Sequence, residues 1–145
     1  MPFDYGGLET PSRAESLTLM GSVPIGRVVF TERALPAVQP VNFVLDGADV
    51  VFRAVPGSRL AAATRGNIVA FEADDFDAAS RSGWSVTIVG RARHVHDPEE
   101  LAVVRRLPLD SWAPGPRDHD HYVLIEAGLV VGRRLPLGRP TVNSV

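Results

Sequence analysis

The chain has 145 residues, of which 45% are hydrophobic and 22% are charged, and its formal net charge at pH 7 is −2. This composition predicts one globular domain over residues 1–145. Nucleic acid is not expected as a partner, because domains that neutralise many phosphates are usually strongly basic. The sequence has neither a signal-peptide pattern nor an apolar run of the ~18 residues that a membrane span needs, so we expect a cytoplasmic protein with no membrane partner.

Two residue types that carry much of enzyme chemistry are missing. There is no cysteine, and all 15 basic residues are arginine. The first absence excludes disulfides, thiolate nucleophiles and cysteine-ligated metal centres. The second excludes a lysine Schiff base, including the usual covalent use of pyridoxal phosphate.

The N-terminal part predicts a helix followed by antiparallel strands. Ser12 and Glu15 have the spacing of a capping box at a helix start. Three strands are expected next, at residues 25–31, 37–45 and 50–54. Asp46-Gly47 joins the last two of them, and this dipeptide is a strong signal for a tight hairpin.

Residues 49–66 predict a strand, a Pro56-Gly57 turn and a short Ala-rich helix that ends at Arg65 before Gly66. Ser58 is the natural N-cap of that helix. Unpaired backbone N–H groups and the helix dipole favour an anion at such a position, and the Arg59 guanidinium is suited to phosphate oxygens. The alternative is that Ser58 only caps the helix and that Arg59 is a solvated side chain.

The second half predicts four more strands and one helix. The strands are expected at residues 67–73, 84–95, 121–126 and 129–135. An acidic loop, Asp74–Asp77, should follow the first of them, and Gly90 should mark a bend or bulge in the second. Asp97 and Pro98 open a helix that runs to about Arg106.

Beyond that helix, a Pro-rich loop at residues 109–117 carries Trp112, which we interpret as a core or interface anchor. Gly138 begins a loose tail. Six or seven strands joined by connections too short for crossover helices predict a mainly β, α+β fold in the form of a small antiparallel barrel.

Four segments in this order resemble the pyridoxamine 5′-phosphate oxidase-like family of flavin-binding split barrels, and in particular its small actinobacterial members. They are Val23–Val28, Gln39–Val44, Val51–Arg53 with Gly57–Leu60, and Gly83–Ala92. The resemblance covers roughly residues 10–135, which it implies are the core of the domain. The resemblance implies a homodimer of six-stranded split barrels with FMN at the subunit interface. It also implies a flavin-dependent oxidoreductase that moves a hydride between flavin N5 and a small-molecule substrate or nicotinamide donor.

The resemblance further implies roles for ten residues. Val41, Asn42 and Phe43 would meet the flavin ring through backbone groups, Arg53, Ala54 and Val55 would line the ribityl chain, Ser58 and Arg59 would hold the phosphate, and Trp84 and Ser85 would approach the ring, often from the partner subunit. Leu60 stands where the oxidase has lysine, so the helix N-terminus and Arg59 must do more of the phosphate binding. No catalytic residue is implied.

Three alternatives remain open. The cofactor could be a deazaflavin, or the protein could store or sense flavin or haem without catalysis; His94, His96, His119 and His121 would be candidate haem ligands. These histidines could instead bind a metal, but we interpret His94-Val95-His96 as a polar strand end and residues 118–121 as a solvated loop, with no metal site. Asp74–Asp77 lacks the glycine and distal glutamate of a calcium loop.

Overall fold

The computed structural model describes residue 3 and residues 6–136; the predicted tail from Gly138 lies outside the described residues. The helices are α1 (Arg13–Met20), α2 (Arg59–Ala63) and α3 (Pro98–Val104). The strands are β1 (Ile25–Glu32), β2 (Leu35–Asp46), β3 (Asp49–Ala54), β4 (Ile68–Asp77), β5 (Ser82–His94), β6 (His121–Ile125) and β7 (Leu129–Leu135). The longest of these helices, α1, has eight residues, and the described part of the chain has no helix that is long and apolar enough to cross a bilayer.

The strands form a closed antiparallel barrel. Their order is β4-β1-β2-β3-β6-β5-β7, and an additional pairing of β4 with β5 closes the first six into a ring. Strand β7 lies outside the ring, on the edge of β5. The predicted six-stranded antiparallel split barrel is confirmed, with one extra strand.

The barrel core follows the alternation predicted for the long strand. Along β5, Trp84, Val86, Ile88, Gly90 and Ala92 are buried, whereas the residues that alternate with them are partly or fully exposed. The four larger of these side chains, Trp84, Val86, Ile88 and Ala92, belong to one cluster with four phenylalanines, Phe30, Phe43, Phe52 and Phe71. In this cluster the Phe43 and Phe71 ring centroids lie 4.7 Å apart, and those of Phe52 and Phe71 lie 6.3 Å apart. Burial of these side chains is the main source of the barrel's stability.

Gly90 lies where β5 changes its partner on one side. The pairing with β7 ends at Val89, and the pairing with β6 begins at Ala92. A Cβ atom at position 90 would overlap the backbone carbonyl oxygen of Glu126. Glycine is therefore needed because another segment of backbone passes directly against it.

The three predicted helix caps are all present. Ser12 Oγ accepts from the Glu15 N–H at 3.1 Å, and Ser58 Oγ accepts from the Ala61 N–H at 3.0 Å. An Asp97 carboxylate oxygen accepts from the N–H three residues later at 3.0 Å. Helix α2 is two residues shorter than predicted, since it ends at Ala63.

The prediction of an acidic loop at Asp74–Asp77 is wrong. These residues are the end of β4, where Asp74 pairs with Ser85 and Asp77 pairs with Ser82. The long strand β5 offers a backbone partner along this whole segment, and the last three residues are exposed, so the carboxylates remain in water. Backbone pairing therefore outweighs the low strand propensity of aspartate.

An apolar row crosses the outer face of the sheet. Val38, Val29, Ala70, Val89 and Leu129 are successive cross-strand neighbours on β2, β1, β4, β5 and β7. The two end residues, Val38 and Leu129, are 62% and 59% exposed. A contiguous exposed apolar surface of this kind is typical of an interface.

Beside this row lies the most perturbed carboxyl group of the described residues. Burial and the neighbouring Asp74 raise the pKa of Glu72 to about 7, against the opposing effect of Arg27. Arg27 Nη1 lies 3.1 Å from Glu72 Oε1 and 3.4 Å from Asp74 Oδ2. Glu72 is on the outer face of β4 and lines none of the cavities described below.

Candidate functional site

A cleft opens in the barrel where β2 exchanges partners. Strand β2 pairs with β1 up to Asn42, and its pairing with β3 begins at Phe43 opposite Phe52. Beyond this point β3 diverges from β2: Arg53 and Ala54 have no partner on β2, whereas the pairing of β3 with β6 along its other edge continues to Ala54. The edges of β2 and β3 that face each other here are not paired in the sheet, so backbone groups are available to a ligand.

The cleft contains a cavity of about 430 Å³, a volume within the usual range for small-molecule sites. Six of the ten predicted site residues line it: Val41, Asn42, Arg53, Ala54, Val55 and Ser58. The opposite wall is the segment at residues 109–120, which contributes Leu109, Asp110, Ser111, Ala113, Arg117 and Asp120. The residues predicted from the sequence thus form one wall of the cavity, whereas the opposite wall at residues 109–120 was not predicted.

Asn42 and Arg53 fasten this opposite wall. Asn42 Oδ1 accepts from the Trp112 backbone N–H at 2.9 Å, and an Arg53 Nη2 hydrogen is donated to the Leu109 carbonyl oxygen at 3.1 Å. The Arg53 guanidinium also lies 5.8 Å from the Tyr122 ring centroid. Both polar side chains, each in an otherwise apolar strand, therefore face the cleft and hold its wall.

The cavity is lined by two arginines, Arg53 and Arg117, and by two aspartates, Asp110 and Asp120. Arg117 Nη1 lies 3.5 Å from the Asp120 carboxylate, whereas Arg53 makes no ion pair among residues 3 and 6–136. The Arg117 Nε hydrogen is buried and has no hydrogen-bond partner in the described structure. An unpaired buried donor costs free energy, so a ligand oxygen in this cavity would be stabilised.

Arg59, the predicted phosphate ligand, points away from the cavity in this structure. Its side chain is 80% exposed, and its Nε lies 3.3 Å from Glu32 Oε1. It does not line the cavity, although its neighbour Ser58 does. Arg59 would have to leave Glu32 in order to reach a phosphate beside Ser58.

Three other predicted residues lie apart from this cavity. The Phe43 ring packs in the barrel core and borders a second cavity on the far side of Asn42. Trp84 is 8% exposed, belongs to the same core, and lines a third cavity near Arg134. Ser85 is on the outer face of β5, between Asp74 and Arg133. The approach of Trp84 and Ser85 to the ring, often from the partner subunit, stays a prediction.

The two histidine segments, treated separately in the sequence, meet in space. The His94 ring centroid lies 4.7 Å from that of His121 and 6.1 Å from that of His96. His94 Nε2 lies 3.0 Å from the Ala61 carbonyl oxygen, so this nitrogen carries the proton in the neutral ring. No group of metal-binding geometry is present among the described residues.

Burial, together with the charges of His121, Arg65 and His96, lowers the pKa of His94. As the pH falls below about 6.5, His94 is therefore protonated in the unfolded chain at a higher pH than in the folded chain. The stability contributed by neutral His94 is present above that pH and is lost as the pH falls. The variant His94→Gln should lose less stability between about pH 7.5 and about pH 5 in urea unfolding than the native chain does. An equal loss of stability in His94→Gln and in the native chain would contradict this. The control is His119→Gln, at an exposed histidine, which should lose as much stability as the native chain.

Comparison with known proteins agrees with this architecture. The family model of pyridoxamine 5′-phosphate oxidase matches residues 12–134. The uncharacterised protein Rv0080 of Mycobacterium tuberculosis is 41% identical over 128 residues, which cover 85% of this chain and 82% of that protein.

Two solved structures are similar over nearly their whole length. The FAD binding protein of Mycobacterium smegmatis is 36% identical, with a TM-score of 0.75 over 87% of this chain and 97% of that one. A Corynebacterium glutamicum protein, provisionally described as a pyridoxamine 5′-phosphate oxidase, is 30% identical, with a TM-score of 0.79 over 91% and 96%. The molecule is therefore a split barrel of the flavin-binding type. It belongs to the pyridoxamine 5′-phosphate oxidase family, as the sequence motifs predicted.

Proposed function

We propose that the protein is a flavin-dependent oxidoreductase that binds FMN or FAD in the cleft between β2 and β3. The observation that carries the proposal is the cleft itself. One side has unpaired strand edges, and the lining contains Arg53, which has no ion pair among the described residues. The buried Nε of Arg117, also in the lining, has no hydrogen-bond partner in the described structure. These groups suit a ligand that combines a flat ring, hydroxyl groups and a phosphate. The FAD-binding relative at 36% identity favours a flavin over other ligands of that shape.

In this proposal the chain binds and orients the cofactor. Backbone groups of Val41 and Asn42 contact the ring, and Arg53, Ala54 and Val55 border the ribityl chain. The phosphate is bound by Ser58 together with the guanidinium of Arg53, and by Arg59 once that side chain has left Glu32. The segment at residues 109–120 excludes water from the opposite side. The bound flavin supplies hydride transfer at N5, which requires no dedicated acid or base from the chain.

The proposal includes a homodimer in a cytoplasmic setting. The apolar row from Val38 to Leu129 would form its interface, since a cross-strand apolar surface of this length is favoured to be buried. Pro40 and Asn42, which line the cavity, lie on β2 a few residues beyond Val38. A partner subunit on this face would lie next to the cavity and could complete it with Trp84 or Ser85.

Native mass spectrometry of the purified protein, followed by rapid-mixing reduction with NADPH, tests the proposal. The expected species is a dimer that carries one FMN or FAD per subunit and whose flavin is bleached by the nicotinamide donor. A deazaflavin or haem would be recognised by its mass. A protein that remains without flavin after incubation with both FMN and FAD would refute flavin binding, and a bound flavin that no donor reduces would favour a storage role.

A further inference from the structure

A second cavity of about 460 Å³ adjoins the cleft and differs from it in charge. Asn42 and Asp110 line both cavities, so the two are contiguous. The residues that line only the second one are mostly apolar, among them Val23, Pro24 and Phe43. The cavity has the usual composition of a small-molecule site, apolar walls with few polar groups.

Asp110 is the single ionisable residue in the lining of this second cavity as far as the chain is described. Its carboxylate is exposed and forms no ion pair within residues 3 and 6–136. In the first cavity, by contrast, Asp110 is accompanied by Asp120 and by two arginines, Arg53 and Arg117. Among the described residues, the lining of the second cavity therefore carries one formal negative charge with no positive charge beside it, which favours a cationic ligand.

Trp112 provides the second observation. From the sequence we interpreted Trp112 as a core or interface anchor. Its side chain is instead 66% exposed, lies outside the core clusters and lines this cavity. Its backbone N–H is donated to Asn42 Oδ1, so the main chain of Trp112 is held at the edge of this cavity. An exposed indole face is the aromatic surface that binds cations best.

From these two features we propose that the second cavity binds a planar organic cation, with the ring against Trp112 and the positive charge toward Asp110. Its assignment as the substrate subsite rests on the proposed function, because the flavin ring is placed along Val41 and Asn42, next to this cavity. The substrate class would then be a nitrogen heteroaromatic cation rather than an anionic acid or phosphate ester.

The test uses the full chain and two small probes of similar shape, the cation 1-methylnicotinamide and the anion nicotinate. Quenching of tryptophan fluorescence reports binding, since Trp112 is exposed and Trp84 is buried. The native chain should bind the cation saturably and the anion at least tenfold more weakly. Asp110→Asn should lose about tenfold in cation affinity, which corresponds to one charge-assisted contact.

Asp118→Asn is the matched control, because Asp118 is an exposed carboxylate of the same segment that lines neither cavity. It should bind the cation as the native chain does. Trp112→Ala, measured by calorimetry, should also weaken cation binding about tenfold. Equal affinity for the two probes, or unchanged cation affinity in Asp110→Asn, would overturn the proposal.

Flavin affinity, measured separately on each variant, keeps the two proposals distinguishable. If FMN or FAD binds and the cation does not, the second-cavity proposal fails and flavin binding stands. If the cation binds with the expected dependence on Asp110 and no flavin binds, the cation site stands and the proposed function fails.

Discussion

Replacing Gly90 with alanine is expected to destabilise the barrel by at least about 3 kcal/mol. The added Cβ would overlap the Glu126 carbonyl oxygen and would also approach the Glu126 carbonyl carbon to 2.9 Å. Both are backbone atoms, so neither can swing away as a side chain would. The turn between β6 and β7 would have to move, and the pairing of both strands with β5 would be disturbed.

Urea unfolding followed by circular dichroism measures this effect. Gly21→Ala is the control, because Gly21 has ordinary helical backbone angles and its nearest Cβ contact is 3.4 Å. We expect the control to change stability by less than about 1 kcal/mol. A Gly90→Ala chain with the native unfolding midpoint would show that the turn is not held in place as the structure has it.

The sequence predicted those parts of the fold that depend on neighbouring residues. Alternation along residues 84–92 gave the buried face of β5, and Ser12, Ser58 and Asp97 gave the three helix starts. Both signals are local, since a strand alternates its faces residue by residue and a cap bonds three positions onward. The prediction of a loop at Asp74–Asp77 was wrong because the structure there is determined by pairing with the distant strand β5 and not by local composition.

The candidate site was predictable only in part, because its two walls come from distant segments. Resemblance to the family identified Val41, Asn42 and Arg53, which lie on the strands that form the cleft. The opposite wall depends on contacts such as the one between Trp112 and Asn42, which are 70 residues apart. No local pattern marks Arg117 as a cavity residue. The proline-rich loop with Trp112 indicated only that this segment contacts another part of the protein or a partner.

The charge distribution explains how a chain of net charge −2 can suit an anionic cofactor. Asp120 neutralises Arg117 in part, and Glu32 holds Arg59 outside the cavity. Arg53 is left as the cavity's arginine without a carboxylate partner in the described structure. The chain therefore needs no general excess of basic residues, since one half-buried arginine without a carboxylate partner attracts a phosphate more strongly than a fully solvated one does.

Replacing Arg53 with glutamine is accordingly expected to weaken FMN binding by about tenfold to a hundredfold, the range for one lost charge-assisted hydrogen-bonding group. Arg53→Lys should recover part of the loss, because lysine restores the charge without the planar fork. Arg59→Gln should have a smaller effect, since Arg59 must first leave Glu32. Arg106→Gln, an equal charge change at an exposed position beyond α3, should leave the affinity unchanged.

Riboflavin, which lacks the phosphate, separates two ways in which Arg53 could act. If Arg53 binds the phosphate, Arg53→Gln should weaken FMN binding and leave riboflavin binding unchanged. If it acts by holding the Leu109 carbonyl and thereby the wall of the cleft, both ligands should lose affinity equally. Flavin fluorescence titration measures both constants, and full FMN affinity in Arg53→Gln would exclude this arginine from the flavin site.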